Sequence, residues 1–145
     1  ADGLKQASQG AVLNANYMLY QLKEIFHLNN TFPCMHEFVL SMEDLKEETG
    51  VSAMDVAKAL LDYGIHPPTM YFPLIVPEAL MVEPTETENK ETLDFAIETF
   101  RKIKEEAFAD SAKLHQYPLQ TPVRRLDEVQ AARKPILKYQ KSENQ

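Results

Sequence analysis

The first 26 residues carry an apolar pattern that predicts a long helix. Small and apolar side chains recur three and four positions apart between Leu4 and Phe26, which places them on one stripe of a helix. Asn14 and Asn16 interrupt this helix, because asparagine has a lower helix propensity than alanine or leucine. Two interpretations are open: these amides face solvent or cap backbone groups, or they face a partner or an active-site wall. The stripe consists of Ala7, Ala11, Ala15, Met18, Leu22 and Ile25.

A second helix is predicted to begin just after Ser52. Ser52 and Asp55 have the spacing of a capping box, and Val51 and Val56 have the spacing of a hydrophobic staple. Gly64 is predicted to stop the helix, because glycine readily adopts the left-handed conformation at a helix C terminus. The acidic stretch that precedes Val51 is predicted to be a turn or a short helix.

A third, long helix is predicted to follow Pro84. Thr85 or Thr87 is the expected N-cap, and Thr85 has the spacing of a capping box with Glu88. The acidic side chains here suit the positive end of a helix dipole, although they also repel any anionic ligand that a helix N terminus would hold. The apolar face of this helix consists of Leu93, Ile97, Phe100, Ile103, Ala107 and Phe108.

Residues 62–89 are rich in proline and predict short extended pieces joined by rigid corners. Proline lacks a backbone N–H and favours extended conformations in the residue before it, which excludes a helix interior here. Residues 70–72 and Ala79–Val82 are predicted to be two short strands joined by residues 73–78. A further strand is predicted over residues 35–42, where alternation places His36 and Glu37 on opposite faces. The prolines of this stretch are Pro67, Pro68, Pro73, Pro77 and Pro84.

These elements predict an α+β fold in which a small, largely antiparallel sheet is covered by helices on one face. A chain of 145 residues is long enough to bury a core without a metal or disulfide staple. Residues 1–116 are predicted to form one small domain and residues 117–145 an irregular basic tail, because the periodic apolar pattern decays after Leu114. We expect this tail to wrap onto an acidic partner subunit or onto the body of the chain.

Charge and cysteine content narrow the classes of partner. A formal net charge of −7 opposes binding to a phosphate backbone, so no nucleic acid is expected. The single cysteine, Cys34, cannot form an internal disulfide, and neither a signal peptide nor an apolar run of membrane-spanning length is present. The expected location is therefore cytoplasmic, without a membrane partner.

Four polar residues, His36, His66, Thr69 and Thr85, are candidates for the rim of a site. Gly64 fixes the direction of His66, which is either a site residue or an ordinary corner residue beside proline. His36 is either a substrate-side group or a hydrogen-bonded structural residue, and Thr85 is either part of a helix start or a polar corner of the site. No metal site is expected, because no two histidines share a helix face and no cysteine cluster exists.

Five stretches of the chain form recognisable motifs. They read A-V-L-N-A-N-Y at 11–17, M-H-E-F-V-L at 35–40, L-D-Y-G-x-H-x-P-T at 61–69, L-M-V-E-P-T-E-T-E at 80–88 and R-R-L-D-E-V-Q-A-A-R-K-P at 124–135. Together they resemble the C-terminal region of glycine dehydrogenase (decarboxylating), the P-protein of the glycine cleavage system. The last motif is similar to the tail of the separate second subunit of the two-subunit bacterial form. The resemblance runs from about Gly3 to Tyr139.

The resemblance implies an enzyme that depends on pyridoxal phosphate and a fold like the C-terminal small domain of fold-type I enzymes. The complete enzyme decarboxylates glycine and passes the aminomethyl group to the lipoylated H-protein. The implied partners are therefore glycine, the H-protein, P-protein subunit 1 and the N-terminal part of subunit 2. The small domain is implied to close over glycine and to help shape the lipoyl channel, and the four rim candidates fall on motif positions.

The residues needed for cofactor chemistry are not recognisable in this sequence. A pyridoxal-phosphate site needs a lysine for the Schiff base and a phosphate cradle of backbone N–H groups, usually rich in glycine. The four glycines are too far apart to form such a cradle. We therefore expect no catalytic or cofactor-binding residue in this chain, which is predicted to be a C-terminal part of subunit 2 and inactive alone. The alternative is a free-standing α+β interaction or small-ligand module without catalysis.

Overall fold

The structure is a computed structural model that describes residues 2–28 and 33–139. The helices within these ranges are α1 (Asp2–Leu22), α2 (Glu43–Thr49), α3 (Ala53–Asp62), α4 (Lys90–Ala109), α5 (Ser111–Leu114) and α6 (Glu128–Arg133). The strands are β1 (His27–Leu28), β2 (Phe38–Ser41), β3 (Thr69–Met70) and β4 (Ala79–Val82). None of the described helices is both long enough and apolar enough to cross a membrane.

The strands form one antiparallel sheet in the order β1-β2-β4-β3. Phe38 and Leu40 of β2 lie opposite Val82 and Leu80 of β4, so these four side chains share one face of the sheet. All four are buried in the core together with residues of α1, α3 and α4. The predicted α+β class, with a small antiparallel sheet, is therefore confirmed.

The opposite face of the sheet is covered by a loop. Val39 of β2 and Ala79 of β4 point to this side and pack against Val76, which belongs to the connection between β3 and β4. This connection was predicted as a loop over residues 73–78. The two middle strands, β2 and β4, are consequently covered on both faces of the sheet. Helices cover one face, and the loop covers the other.

The apolar stripe predicted for the first helix is the face that α1 buries. Ala15, Met18 and Leu22 are buried, and so is Ile25 in the turn that follows. The helix ends at Leu22 and not at the predicted residue 26. The next residues turn so that β1 can pair with β2. Sequence periodicity did not predict β1, because this strand has only two residues.

The start of α3 follows the predicted capping chemistry. The Ser52 hydroxyl accepts a hydrogen bond from the Asp55 N–H at 3.3 Å, and the Asp55 carboxylate accepts one from the Ser52 N–H at 2.8 Å. Val51 and Val56, the predicted hydrophobic staple, are both fully buried. Gly64 has a φ of 73°, the left-handed conformation expected where this helix stops.

The start of α4 differs from the prediction. Asn89 is the N-cap, and its side-chain oxygen accepts a hydrogen bond from the Thr92 N–H at 2.9 Å. Thr85 has a φ of 63°, which is far from the extended conformation of an N-cap. The capping box predicted for Thr85 with Glu88 is therefore wrong, because this stretch forms a separate turn before the helix.

The chain after α5 runs back over the body, and we call residues 117–125 the C-terminal strap. The Asp62 carboxylate accepts hydrogen bonds from the backbone N–H groups of Leu119 and Gln120, the latter at 2.9 Å. Arg125 donates from Nη2 to the Asp55 carboxylate at 2.6 Å and from Nε to the Tyr117 carbonyl at 2.7 Å. Of the two placements expected for the tail, the strap adopts the one on the body of the chain.

As far as residue 139, where the described part ends, the rest of the tail contains the short helix α6, which was not predicted from the sequence. Its residues are exposed to solvent, which explains why no apolar periodicity marks it. The last part of the predicted tail, residues 140–145, lies outside the described residues. The division of the chain at residue 116 stays a prediction.

The Asp55–Arg125 pair generates a prediction about stability. Asp55 is 3% exposed, so replacing Arg125 by alanine leaves a buried carboxylate without its charged partner. We expect Arg125→Ala to lower the free energy of unfolding by about 2 kcal/mol at neutral pH, measured by urea denaturation. Arg133→Ala, on the exposed surface of α6, is the matched control and should leave stability unchanged.

The Asp55–Arg125 pair also makes the stability difference between wild type and Arg125→Ala depend on pH. Burial raises the pKa of Asp55, but hydrogen bonds from Ser52, Arg125 and His115 outweigh burial and hold the pKa below its ordinary value. A lowered folded-state pKa stabilises the protein above the unfolded-state pKa, and that stabilisation is lost as the pH falls through the folded-state value. The gap between wild type and Arg125→Ala should therefore shrink as the pH falls below the ordinary aspartate value of about 3.9. A gap that stays constant over this range would contradict a role for the Asp55 charge.

Candidate functional site

A cavity of about 620 Å³ opens between the sheet and the N-terminal half of α4. Its walls come from α1, the residue before β2, the turn after α3, β3, the end of β4, the turn before α4, and α4 itself. A cavity of this size falls within the range of small-ligand sites. It is formed where the proline-rich stretch of the sequence meets the two long helices.

The cavity has an apolar floor and a polar rim. The floor includes the buried side chains of Met18, Val82, Leu93 and Phe100. Phe95 adds an aromatic ring that is half exposed. The polar side chains of the lining are those of Glu37, His66, Thr69, Glu83, Thr85, Glu88 and Thr92.

The turn after α3 supplies His66 and Thr69. Gly64 ends the helix in the left-handed conformation, and Ile65 N donates to the Leu60 carbonyl at 3.0 Å, which fixes the direction of the exit. Pro67 and Pro68 then keep the chain extended until β3 begins at Thr69. The exposed His66 side chain therefore lies at a rigid corner of the rim.

The turn between β4 and α4 supplies Thr85. A φ of 63° is rare for a β-branched residue, so this corner persists only because neighbouring groups hold it. The Asn14 side chain of α1 donates to the carbonyls of Thr85 at 2.8 Å and of Glu88 at 3.0 Å. Close packing adds to this, since a Cβ placed on Gly10 would lie 3.3 Å from the Cβ of Glu86.

Asn16 holds the segment that leads into β2. Its side-chain N–H group donates to the Cys34 carbonyl at 2.7 Å, and its side-chain oxygen accepts from the Cys34 N–H at 2.9 Å. The Cys34 thiol is buried, and burial raises its pKa, so it stays protonated at neutral pH. This anchor places Glu37 on the cavity wall, whereas the exposed His36 lies outside the lining.

The structure therefore brings together three of the four predicted rim residues. His66, Thr69 and Thr85 line one cavity, and His36 does not. His36 and Glu37 precede β2, so the strand alternation predicted for them does not apply. The roles of the three rim residues stay a prediction.

The glutamates of the rim were not among the four predicted rim residues. Glu83 and Glu88 flank the Thr85 corner in the sequence, and that adjacency was the available signal for them. Glu37 gave a weaker signal, because only the anchor formed by Asn16 places it on the wall. Asn14 lies outside the lining and donates to the backbone carbonyls of Thr85 and Glu88, which fits the first of its two open interpretations; through these bonds it holds the Thr85 corner.

The rim charge decides what the cavity suits chemically. Three glutamates contribute to the lining, and among the described residues no lysine or arginine does. A phosphate group or a substrate carboxylate would be repelled here, and no lysine is available for a Schiff base. The lining does not fit pyridoxal phosphate. Within residues 2–28 and 33–139, no three His, Cys, Asp or Glu side chains are grouped to hold a metal ion.

Fold and cavity together define a small α+β domain with a polar-rimmed cavity beside its sheet. The family profile described as "Glycine dehydrogenase, C-terminal domain" matches residues 7–122. This chain belongs to that family, and the resemblance read from its motifs is confirmed.

Three curated relatives are similar over nearly the whole chain, and each is named "Probable glycine dehydrogenase (decarboxylating) subunit 2". The relative from Treponema denticola is 57% identical over 96% of this chain and 29% of its own length. The relative from Thermotoga maritima is 51% identical over 95% of this chain and 29% of its own length. The relative from Desulforamulus reducens is 57% identical over 93% of this chain and 28% of its own length. This chain thus spans less than a third of the length of the relatives that it matches.

The Asn14 anchor generates a prediction about the cavity wall. Asn14→Ala removes both donors to the turn at residues 85–88, so this turn should open more often. We expect faster amide hydrogen exchange at residues 83–89 and a loss of about 1 to 2 kcal/mol in the free energy of unfolding.

Gln9→Ala is the matched control, because Gln9 is an exposed amide side chain on the same helix. This variant should leave exchange at residues 83–89 unchanged. Equal exchange in Asn14→Ala and Gln9→Ala would show that the Asn14 hydrogen bonds do not hold the wall.

Proposed function

We propose that this chain is the C-terminal domain of subunit 2 of a two-subunit, pyridoxal-phosphate-dependent glycine dehydrogenase of the glycine cleavage system. The observation that carries the proposal is the cavity, which has three motif residues on its rim and a lining that does not suit the cofactor. A domain with such a cavity can form one wall of an active site whose cofactor-binding wall belongs to the rest of the subunit. The printed names of the relatives and their greater length support this arrangement.

The rim charge suggests how the wall acts on glycine. Glu83 and Glu88 disfavour a carboxylate near the Thr85 corner, so we do not assign the glycine carboxylate to this wall. We propose that His66, Thr69 and Thr85 line the side of the cleft that closes over the substrate. Rigid corners suit this task, because a site wall that holds its shape loses little entropy when a ligand binds.

The partners proposed for the complete enzyme follow from the same assignment. They are P-protein subunit 1, the N-terminal part of subunit 2, glycine and the lipoylated H-protein. The apolar floor with Phe95 and Leu93 suits the hydrocarbon part of a lipoyl arm that lies across the cavity mouth. We place the enzyme in the cytoplasm, which agrees with a single cysteine that has no second cysteine for an internal disulfide.

The alternative, a free-standing interaction or ligand-binding module, has less support. Relatives that match more than nine-tenths of this chain contain the matching region within a chain more than three times as long. The rim residues would then face a ligand of their own, and no feature of the cavity selects one. We therefore retain the enzyme-domain proposal.

The first test addresses the isolated chain. Pyridoxal phosphate added to this chain alone should produce neither a stable visible Schiff-base absorption band nor decarboxylation of glycine, because none of the described lysines lines the cavity. Full-length subunit 2 combined with subunit 1 is the positive control and should show both. A stable band together with activity in the isolated chain would refute the proposal.

The second test addresses the rim in the complete two-subunit enzyme. His66→Ala should lower kcat/KM for glycine about tenfold or more, because one contact of about 1.4 kcal/mol made in the transition state is worth that factor. His36→Ala is the matched control, since His36 is also an exposed histidine but lies outside the cavity. Equal effects of the two substitutions would show that the cavity is not part of the active site.

A further inference from the structure

One face of α1 lies against the turn that carries the Thr85 corner. Gly10, Asn14 and Tyr17 are four and three positions apart, so they share one side of the helix. Gly10 and Asn14 face the turn itself, and the Tyr17 hydroxyl donates to the Asp94 carboxylate in the first part of α4. This face lies beside the apolar stripe that α1 buries in the core, so it contacts a different part of the domain.

The lack of a side chain at Gly10 lets α1 and the turn approach each other closely. A Cβ added there would lie 3.3 Å from the Cβ of Glu86 and 3.8 Å from its Cα. The first distance is shorter than the usual separation of two carbon atoms in contact, so the turn would have to move by a few tenths of an ångström. Glycine destabilises a helix interior relative to alanine, so helix stability does not explain this residue.

Asn14 holds the same turn by hydrogen bonds. Its side chain donates to the Thr85 carbonyl at 2.8 Å and to the Glu88 carbonyl at 3.0 Å. The turn also directs the Thr85 side chain, whose hydroxyl lies 2.9 Å from the Thr87 hydroxyl in a hydrogen bond. Neither Gly10 nor Asn14 lines the cavity, so both reach the Thr85 rim residue only through the turn.

We propose that Gly10 and Asn14 are positioning residues for the reaction of glycine, and this rests on the function proposed above. Gly10 sets how closely the turn approaches α1, and Asn14 fixes the conformation of the turn. Together they determine where the Thr85 corner stands in the wall that closes over the substrate. Small displacements matter at such a wall, because misplacing a site by about 1 Å can lower the rate about 100-fold.

The first test separates catalysis from stability in the complete two-subunit enzyme. Gly10→Ala should lower kcat/KM for glycine about fivefold, because the added Cβ pushes Glu86 and the Thr85 corner away from α1. It should not lower the thermal unfolding midpoint, since alanine is the better helix former. Gly3→Ala is the matched control: it makes the same change in α1, where an added Cβ meets no described atom within 4 Å. This control should leave kcat/KM unchanged.

A compensating substitution tests the route of the effect. Glu86→Gly removes the Cβ that the Gly10→Ala variant would crowd. Adding Gly10→Ala to Glu86→Gly should therefore cause no further loss of kcat/KM, which is the non-additivity expected of two residues in contact. A fivefold loss in the Glu86→Gly background as well would overturn the inference, because the effect would then not pass through this contact.

The second test concerns Asn14 in the same enzyme. Asn14→Ala should lower kcat/KM about tenfold, because the Thr85 corner loses both hydrogen bonds from α1. Arg125→Ala is the matched control for stability, since it also removes buried hydrogen bonds but at a residue outside the cavity lining. It should leave kcat/KM unchanged. An equal loss in both variants would show that Asn14 acts only through stability, and the inference would be overturned.

The outcomes distinguish this inference from the function on which it rests. If His66→Ala and His36→Ala have equal effects on kcat/KM, the cavity is not part of the active site and the proposed function fails. If His66→Ala lowers kcat/KM while Gly10→Ala and Asn14→Ala leave it unchanged, the proposed function stands and only the positioning inference is overturned.

Discussion

The shape of the cavity depends on two asparagine side chains that α1 directs at loops far away in the sequence. Asn14 uses both of its N–H donors on the turn that carries Thr85, and Asn16 uses its donors and its acceptor on Val12 and Cys34. The two residues share one helix, so both loops are located relative to the same rigid element. A helix that carries two amides beside its apolar stripe gives up some propensity and gains fixed positions for two loops.

A single carboxylate outside the cavity lining links distant segments in a comparable way. Asp55 completes the capping box at the start of α3 and also accepts the hydrogen bond of Arg125, which lies 70 residues further along the chain. The start of a helix and the course of the strap are therefore coupled through one buried group. Asp62 extends this coupling to the other end of α3 by binding the backbone of the strap.

The elements that could be predicted from sequence are those whose signals are local. The capping box at Ser52, the stop at Gly64 and the strand Ala79–Val82 each depend on residues within a few positions, and each is present in the structure. The start of α4 could not be predicted correctly, because Thr85 and Glu88 satisfy the local rule for a capping box. Their conformation is decided by Asn14, a tertiary contact across 71 residues.

In the candidate site, too, some residues are positioned by local sequence signals and others by tertiary contacts. His66 and Thr69 reach the cavity through corners that glycine and proline make visible in the sequence. Glu37 reaches it only because Asn16 fixes the loop before β2, and the same loop turns His36 away from the lining. Neighbouring residues in one motif thus have different surroundings, which a motif alone does not distinguish.

The order of the strands also limits how this domain can associate with other proteins. The outer positions of the sheet belong to β1 and β3, each only two residues long, while the longer β2 and β4 lie inside. Edges this short offer a visiting peptide almost no row of backbone amides and carbonyls to extend. Within the described part of the chain, association through side-chain contacts is therefore favoured over lengthening of the sheet.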